Sequence, residues 1–367
     1  MSDEKLKVGV IGTGMIATAG HIPAWKDLPD DVEIVGVADI LADRAQLIAE
    51  REGIPYAYGE WQKMLGELDL DVVSICTPNA YHKEQAIAAL HAGANVLCEK
   101  PVATCHADAV EMFSAAEAAG KVLFVGQSSR FTHRSRAAKQ MIDAGRLGEM
   151  YFAETYYLRR RGIPQWGQFH QKEHSGGGPI YDLGVHAIDL LFWLMGSVTV
   201  EAVSGATYTK IGNRDEKLAT SLADSGAFEG VLTPRPYDFH DFNVEDMAAG
   251  FIRLAGGVTV AFKTSWAANV PKNHGATMIL GTEGGLVLDP LTLVTNMGSY
   301  QVNVEASVPG EDHGPFSGHW GETAHFVRVL RGEEELIVRP EEVLNVIATL
   351  DALYRSAAEG REIRLDA

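Results

Sequence analysis

The sequence predicts an α/β protein in which a doubly wound parallel domain is joined to a second, α+β domain. Three observations lead there. Short β-branched runs alternate with Ala-rich helical stretches over the first third, as βαβ units require. Strands then follow one another from about Val198 to Val304, and 367 residues suit two domains, each with its own core. In chain order, strands are expected at Lys7–Ile11, Glu33–Ala38, Val72–Cys76, Asn95–Cys98 and Val122–Val125. Helices are expected at Leu41–Glu52, Lys83–Ala92 and Ala107–Ala119, the last two stopped by Gly93 and Gly120. Beyond Gly126 the rhythm changes. A helix at Ser135–Ala144 leads to a strand at Tyr151–Leu158, a Gly-rich loop at Ser175–Pro179 and an apolar helix at Val185–Met195. Further strands are read at Met247–Leu254, Val258–Ser265, Thr277–Leu280 and Leu286–Leu288, with Gly256-Gly257 and Gly284-Gly285 as hairpin turns. Helices at Glu322–Leu330 and Glu341–Ala358 close the chain. The division is set at residues 1–127 and 128–367.

Composition narrows the function. The chain has 46% apolar and 22% charged residues and a net charge of −18, too apolar for disorder and too acidic for a nucleic-acid or anionic-membrane surface. No apolar run reaches the roughly 18 residues that span a bilayer. Three cysteines, Cys76, Cys98 and Cys105, fit neither a disulfide framework nor a C-x-x-C zinc motif. With a charged N-terminus free of a signal-peptide pattern, these features predict a cytoplasmic protein.

Val8–Ala17 reads as strand, G-x-G-x-x-A, then helix. Gly12 permits the tight turn, Gly14 lets the backbone approach a pyrophosphate, and Ala17 allows close helix–strand packing. Gly12, Thr13, Gly14, Met15 and Ile16 are thus expected to hold a dinucleotide. Asp39, at the end of the second strand, stands where a carboxylate meets the adenosine ribose hydroxyls and repels a 2′-phosphate. NAD is therefore favoured over NADP, although Arg44 would ease that repulsion and Asp39 could instead cap the following helix.

Two more strand ends carry chemistry. Thr77-Pro78-Asn79 with His82 follows one buried strand, and Glu99-Lys100-Pro101 follows the next. Ligands in open parallel sheets bind outside the carboxyl ends of strands, so Thr77, Pro78, Asn79, His82, Glu99 and Lys100 join the cofactor-binding candidates. A lysine there suits proton transfer beside a cationic cofactor; its alternative is an ion pair with Glu99. The segment Gly176-Gly177-Gly178 to Asp189 places Asp182 and His186 four residues apart on a helix, so that Asp182 could orient the His186 ring as a general base.

Together, the Gly12–Ala17 turn, Thr77-Pro78-Asn79, His82, Glu99-Lys100-Pro101, Gly177-Gly178, Asp182, Gly184, His186 and Asp189 resemble the Gfo/Idh/MocA family of glucose–fructose oxidoreductase and inositol dehydrogenase type. The resemblance implies a Rossmann domain and a C-terminal domain with a large, mostly antiparallel sheet that supports a homodimer or homotetramer. It implies NAD(H)-dependent hydride transfer at a hydroxyl or keto carbon of a sugar, sugar derivative or inositol. By motif, Lys100, Asp182 and His186 become the catalytic trio, and the Lys100–Pro101 bond is expected to be cis. Two alternatives accompany this reading: an NAD-dependent glycosidase or lyase working through transient sugar oxidation, and a non-catalytic dinucleotide-binding sensor.

One departure concerns the substrate. Relatives carry Trp-Arg before the glycine loop, whereas Trp166 precedes Gly167 here, leaving Arg159, Arg160 or Arg161 as candidates for that arginine's role. Arg130, Trp166, His170 and His319 are expected to line the substrate pocket beside the trio. His313, His319 and His325 fit no metal-ligand spacing, and hydride transfer needs no metal, so none is expected.

Overall fold

The computed structural model describes residues 4–196, 198–215 and 237–365. The N-terminal sheet contains β1 (Leu6–Ile11), β2 (Val32–Ala38), β3 (Tyr56–Tyr58), β4 (Val72–Ile75), β5 (Asn95–Cys98) and β6 (Leu123–Val125). Its order is β3-β2-β1-β4-β5-β6 and every pairing is parallel. Helices cover both faces, which is why Val8, Val10, Val72, Val73 and Ile75 are fully buried and the strands read as continuous apolar runs. Strand order reverses between β1 and β4, and a crevice opens there at the carboxyl ends. The sequence reading missed β3 and the helix Trp61–Glu67. Both are short, and β3 sits at the sheet edge, where it shows no apolar alternation.

The second sheet has nine strands: β7 (Met150–Leu158), β8 (Val200–Tyr208), β9 (Met247–Leu254), β10 (Thr259–Ser265), β11 (His274–Gly281), β12 (Gly284–Val287), β13 (Thr292–Met297), β14 (Tyr300–Glu305) and β15 (Ile363–Arg364). Their order is β14-β13-β12-β11-β7-β10-β9-β8-β15, with β7 and β10 parallel and the other pairs antiparallel. One face buries Ala153, Thr155, Ile252, Val260 and Phe262. The helices Val185–Met195 and Pro340–Glu359 lie against this sheet.

Gly256 and Gly257, with φ of +80° and +83°, make the β9–β10 turn as expected. Gly284 and Gly285 do not make a turn. They open β12, where the Arg146 and Val294 carbonyls approach Gly284 so closely that a side chain would collide, and Thr282-Glu283 forms the turn instead. The helix expected at Glu322–Leu330 starts earlier, at Ser317, whereas the last helix begins at Pro340, the proline of its first turn. Helix Ser317–Leu330 comes back across the first domain, touching Ala17–His21, Ile22–Lys26 and Ser128–Phe131. Among the described residues no helix is long and apolar enough to cross a membrane, and all three cysteines are free.

Candidate active site

The glycine turn closes tightly on the neighbouring strand. Gly12 has φ +88°, and a Cβ there would sit 2.8 Å from the Cys76 carbonyl oxygen, so only glycine fits. Gly14 is the opposite case: a Cβ would meet nothing within 4 Å, leaving the outer side of the turn open for a ligand's phosphates. Met15 and Ile16 start the helix, which widens into a π-turn at Ala17–His21 before continuing over Ile22–Lys26. Asp39 reaches the turn from the end of β2. Its Oδ2 accepts from the Thr13 amide at 2.8 Å, the Thr13 hydroxyl at 2.9 Å and the Arg44 guanidinium at 2.6 Å. Its Oδ1 accepts from the Leu41 amide at 2.9 Å, so the carboxylate, buried at 2% exposure, caps the following helix as well as bracing the glycine turn.

The loops after β4 and β5 are tied together. His82 is buried with Nδ1 2.9 Å from the Pro101 carbonyl and Nε2 2.9 Å from the Thr77 carbonyl. Both ring nitrogens thus serve the protein's own loops, which corrects the expectation that His82 contacts a cofactor. Pro78 leads into the short turn Asn79–Tyr81, and Thr77 donates its hydroxyl to Gln85 at 2.6 Å. Asn79 donates to the Ser175 carbonyl at 2.8 Å, and the Tyr81 hydroxyl lies 2.7 Å from His174 Nδ1. The β4 loop therefore clasps the glycine loop of the second domain. The Lys100–Pro101 bond is cis.

The glycine loop is shaped by groups the sequence reading did not name. Buried Glu245 accepts from the Gly178 and Ile180 amides, both at 3.0 Å, and from the Tyr354 hydroxyl at 2.8 Å. A side chain on Gly177 would overlap Tyr354, and one on Gly178 would overlap the Glu245 backbone, which explains the glycine run. The chain then makes a π-turn over Ile180–Gly184 and enters helix Val185–Met195.

At this helix start Lys100 and Asp182 meet. Lys100 Nζ donates to the Asp182 carbonyl at 3.1 Å and lies 3.5 Å from Oδ1, and the two side chains retain 15% and 16% exposure, enough for a substrate to reach them. Trp266, just past β10, donates its indole N–H to Asp182 Oδ2 at 2.8 Å. Burial pushes the Asp182 carboxyl up, but Lys100, Arg159 and the indole bond outweigh it and hold it below the usual range. His186 lies beside this pair. Burial, then the Lys100 charge, lower its imidazole to about 3, against weaker opposing pulls from Glu99 and Asp182. Its Nδ1 has no hydrogen-bond partner, so Asp182 does not hold the ring, a correction to the four-residue spacing argument. The wide π-turn breaks the i,i+4 register, and both Asp182 oxygens face other groups.

Other expected pocket residues are placed differently. Arg130 is buried and fully engaged: it forks onto Asp189 at 2.8 and 2.6 Å, meets Glu342 at 2.5 Å and donates to the Ile337 carbonyl at 3.1 Å. Four of its five N–H donors are used within the fold and the side chain is 1% exposed, so its role is structural. The Glu99 carboxylate turns inward to His21 at 2.8 Å and to its own chain at the Lys100 amide at 3.1 Å, not toward a cofactor. His319 faces that same carboxylate from 3.6 Å and lies close enough to His186 for its charge to act on that ring. Trp166 is buried edge-on against Phe169, which in turn meets Trp266 edge-on, so an aromatic wall backs Asp182. His170 stacks edge-on with Tyr237 and has an unpartnered Nδ1. Arg160 and Arg161 donate to carbonyls of the 268–271 loop, so Arg159 is the arginine whose charge Asp182 feels. Trp266 carried a faint signal as the residue after a strand end; Glu245 and Tyr354 carried none.

Comparison with known proteins agrees with this architecture. Residues 6–127 match the oxidoreductase family described as having an NAD-binding Rossmann fold, and residues 135–287 match the GFO/IDH/MocA C-terminal domain. The chain is 31% identical over 367 residues to D-glucoside 3-dehydrogenase of Escherichia coli strain K12, covering 100% of this chain and 99% of that protein. It is 30% identical to levoglucosan dehydrogenase of Pseudarthrobacter phenanthrenivorans over 78% of this chain and 74% of the other. A solved levoglucosan dehydrogenase in complex with NADH and levoglucosan superposes with a TM-score of 0.81 at 24% identity, covering 99% and 100% of the two chains, which shows the shared fold. The chain belongs to the Gfo/Idh/MocA family of NAD-binding oxidoreductases.

Proposed function

We propose that this oxidoreductase transfers a hydride between NAD(H) and a hydroxyl or keto carbon of a sugar, sugar derivative or inositol. The observation that carries the reading is the half-buried Lys100–Asp182 pair with neutral His186 beside it, at the strand ends that also carry the Gly12 turn. Full-length similarity to a D-glucoside 3-dehydrogenase supports the substrate class.

When bound, the nicotinamide supplies the hydride acceptor. Lys100 Nζ hydrogen-bonds the reacting oxygen, and His186, a neutral imidazole, takes the hydroxyl proton as the carbon is oxidised. Asp182 keeps the ammonium in place and is itself fixed by Trp266. Gly12, Thr13, Gly14, Met15 and Ile16 cradle the pyrophosphate, with Thr77, Pro78 and Asn79 along the crevice. Asp39 receives the ribose hydroxyls and disfavours a 2′-phosphate, with Arg44 pairing its charge. Trp166 and His170 shape the sugar side.

We divide the chain between residues 127 and 128, where the first sheet has just ended at Val125. The outward face of the second sheet, where Phe251 is 56% exposed, supports a homodimer or homotetramer. Three unpaired cysteines support a reducing, cytoplasmic setting. A panel of sugars, glycosides and cyclitols tested for NAD reduction checks the function. Turnover with one carbohydrate class is expected; reduction with none of them would refute it.

A further inference from the structure

One cluster of buried titratable groups has no role assigned in that reaction. His21, Glu99, His319 and Glu322 each present a ligand atom, all four atoms lie within 4.8 Å of one another, and all four residues are buried. The cluster joins three separate segments: the π-turn after the glycine loop, the end of β5, and helix Ser317–Leu330. On that helix His319 and Glu322 are three residues apart and share a face. His21 Nε2 is 2.8 Å and His319 Nε2 3.6 Å from the same Glu99 oxygen.

Glu322 is the unexplained member. It is fully buried, and neither carboxylate oxygen has a hydrogen-bond partner. It points at the same spot as Glu99: a Cβ built on Gly126 would lie 3.5 Å from Glu99 Oε1 and 3.6 Å from Glu322 Oε1. Two carboxylates packed together away from water do not both stay ionised on their own: either one keeps its proton, the direction in which burial and Glu99 push Glu322, or a cation sits between them. Two imidazoles and two carboxylates form the donor set of a four-coordinate transition ion, and they neutralise a divalent charge. Magnesium and calcium prefer all-oxygen sets and match it poorly. An outer hydrogen bond is already in place, because His21 Nδ1 lies 2.7 Å from the Ser74 hydroxyl and leaves Nε2 facing the cluster.

We propose that His21, Glu99, His319 and Glu322 hold one zinc-class divalent ion that fastens helix Ser317–Leu330 to the floor of the dinucleotide crevice. The site is structural. Its ligands are far apart in sequence, which is why histidine spacing alone did not reveal it.

The test uses the full, untagged chain, stripped with a chelator and then loaded with zinc chloride or cobalt chloride. After gel filtration, one zinc per chain is expected, with a higher unfolding midpoint than the stripped protein. Cobalt should give the intense visible absorption of a four-coordinate ion. Glu322→Gln and His319→Gln should each weaken zinc binding by at least about 10–100-fold, while His313→Gln, at an exposed histidine, leaves it unchanged. Should a variant fold poorly, the cobalt spectrum of the wild-type chain decides. Zinc content at the buffer blank, a six-coordinate cobalt spectrum, or unchanged binding in both ligand variants would overturn the site. None of these readouts depends on sugar turnover.

Discussion

Trp266 and Asp182 are joined by an indole N–H to carboxylate hydrogen bond of 2.8 Å, on the oxygen that does not face Lys100. That bond fixes the carboxylate whose other oxygen and backbone carbonyl position the lysine. Trp266 is thus a positioning residue acting through Asp182. Trp266→Phe keeps the aromatic wall but removes the donor. A charge-assisted hydrogen bond of about 1.5–3 kcal/mol corresponds to a kcat loss of roughly 10–100-fold, with KM for NAD unchanged. Steady-state kinetics with each substrate varied in turn checks that split.

Arg130 should behave as a structural residue. Arg130→Met strands buried Asp189, and removing one partner of such a pair costs about 3–5 kcal/mol. Denaturant unfolding should show that loss, while the sugar KM of the remaining folded enzyme stays at the wild-type value. A large rise in KM at unchanged stability would return Arg130 to the substrate pocket.

Asp39→Ala should raise KM for NAD by about 10–100-fold, the worth of a hydrogen bond to a charged group, and leave KM for NADP nearly unchanged. The carboxylate also accepts from the Thr13 amide and hydroxyl. Equal losses with both cofactors would show that Asp39 only supports the turn.

His186 gives a pH prediction of defined sign. Its imidazole stays neutral in the fold down to about 3, whereas an unfolded histidine protonates near 6.5. Its contribution to stability is therefore complete above pH 6.5 and is lost as pH falls toward 3, by at most about 1.4 kcal/mol per pH unit. Unfolding free energies of His186→Gln should fall less steeply on acidification than those of the wild type. Parallel curves would contradict the neutral buried ring.

The fold was legible where one chemical pattern governs a whole element. Strands β1, β4 and β5 are buried on both faces and read as apolar runs, and helix Val185–Met195 was delimited correctly. The Gly12 turn and the two strand-end motifs were legible because local backbone demands specify them. What stayed hidden depends on distant partners. Asp182 and His186 looked like neighbours on an ideal helix, but a π-turn intervenes and Trp266, 84 positions away, takes one oxygen. Arg130 looked available until Asp189 and Glu342 closed around it. Neither spacing nor composition encodes such contacts; the packing of two sheets creates them.

The central claim is that Lys100 hydrogen-bonds the reacting oxygen and helps relay its proton, taken up by His186, while hydride leaves a sugar carbon. Its most direct test is NADH formation by wild type and Lys100→Met with the best sugar substrate. The expected result is one NADH per sugar oxidised by the wild type and a loss of about 10²–10⁴-fold in the variant, the range for a positioned acid–base group, with folding retained. Turnover by Lys100→Met within a few-fold of wild type, or bond cleavage without net NADH, would contradict it.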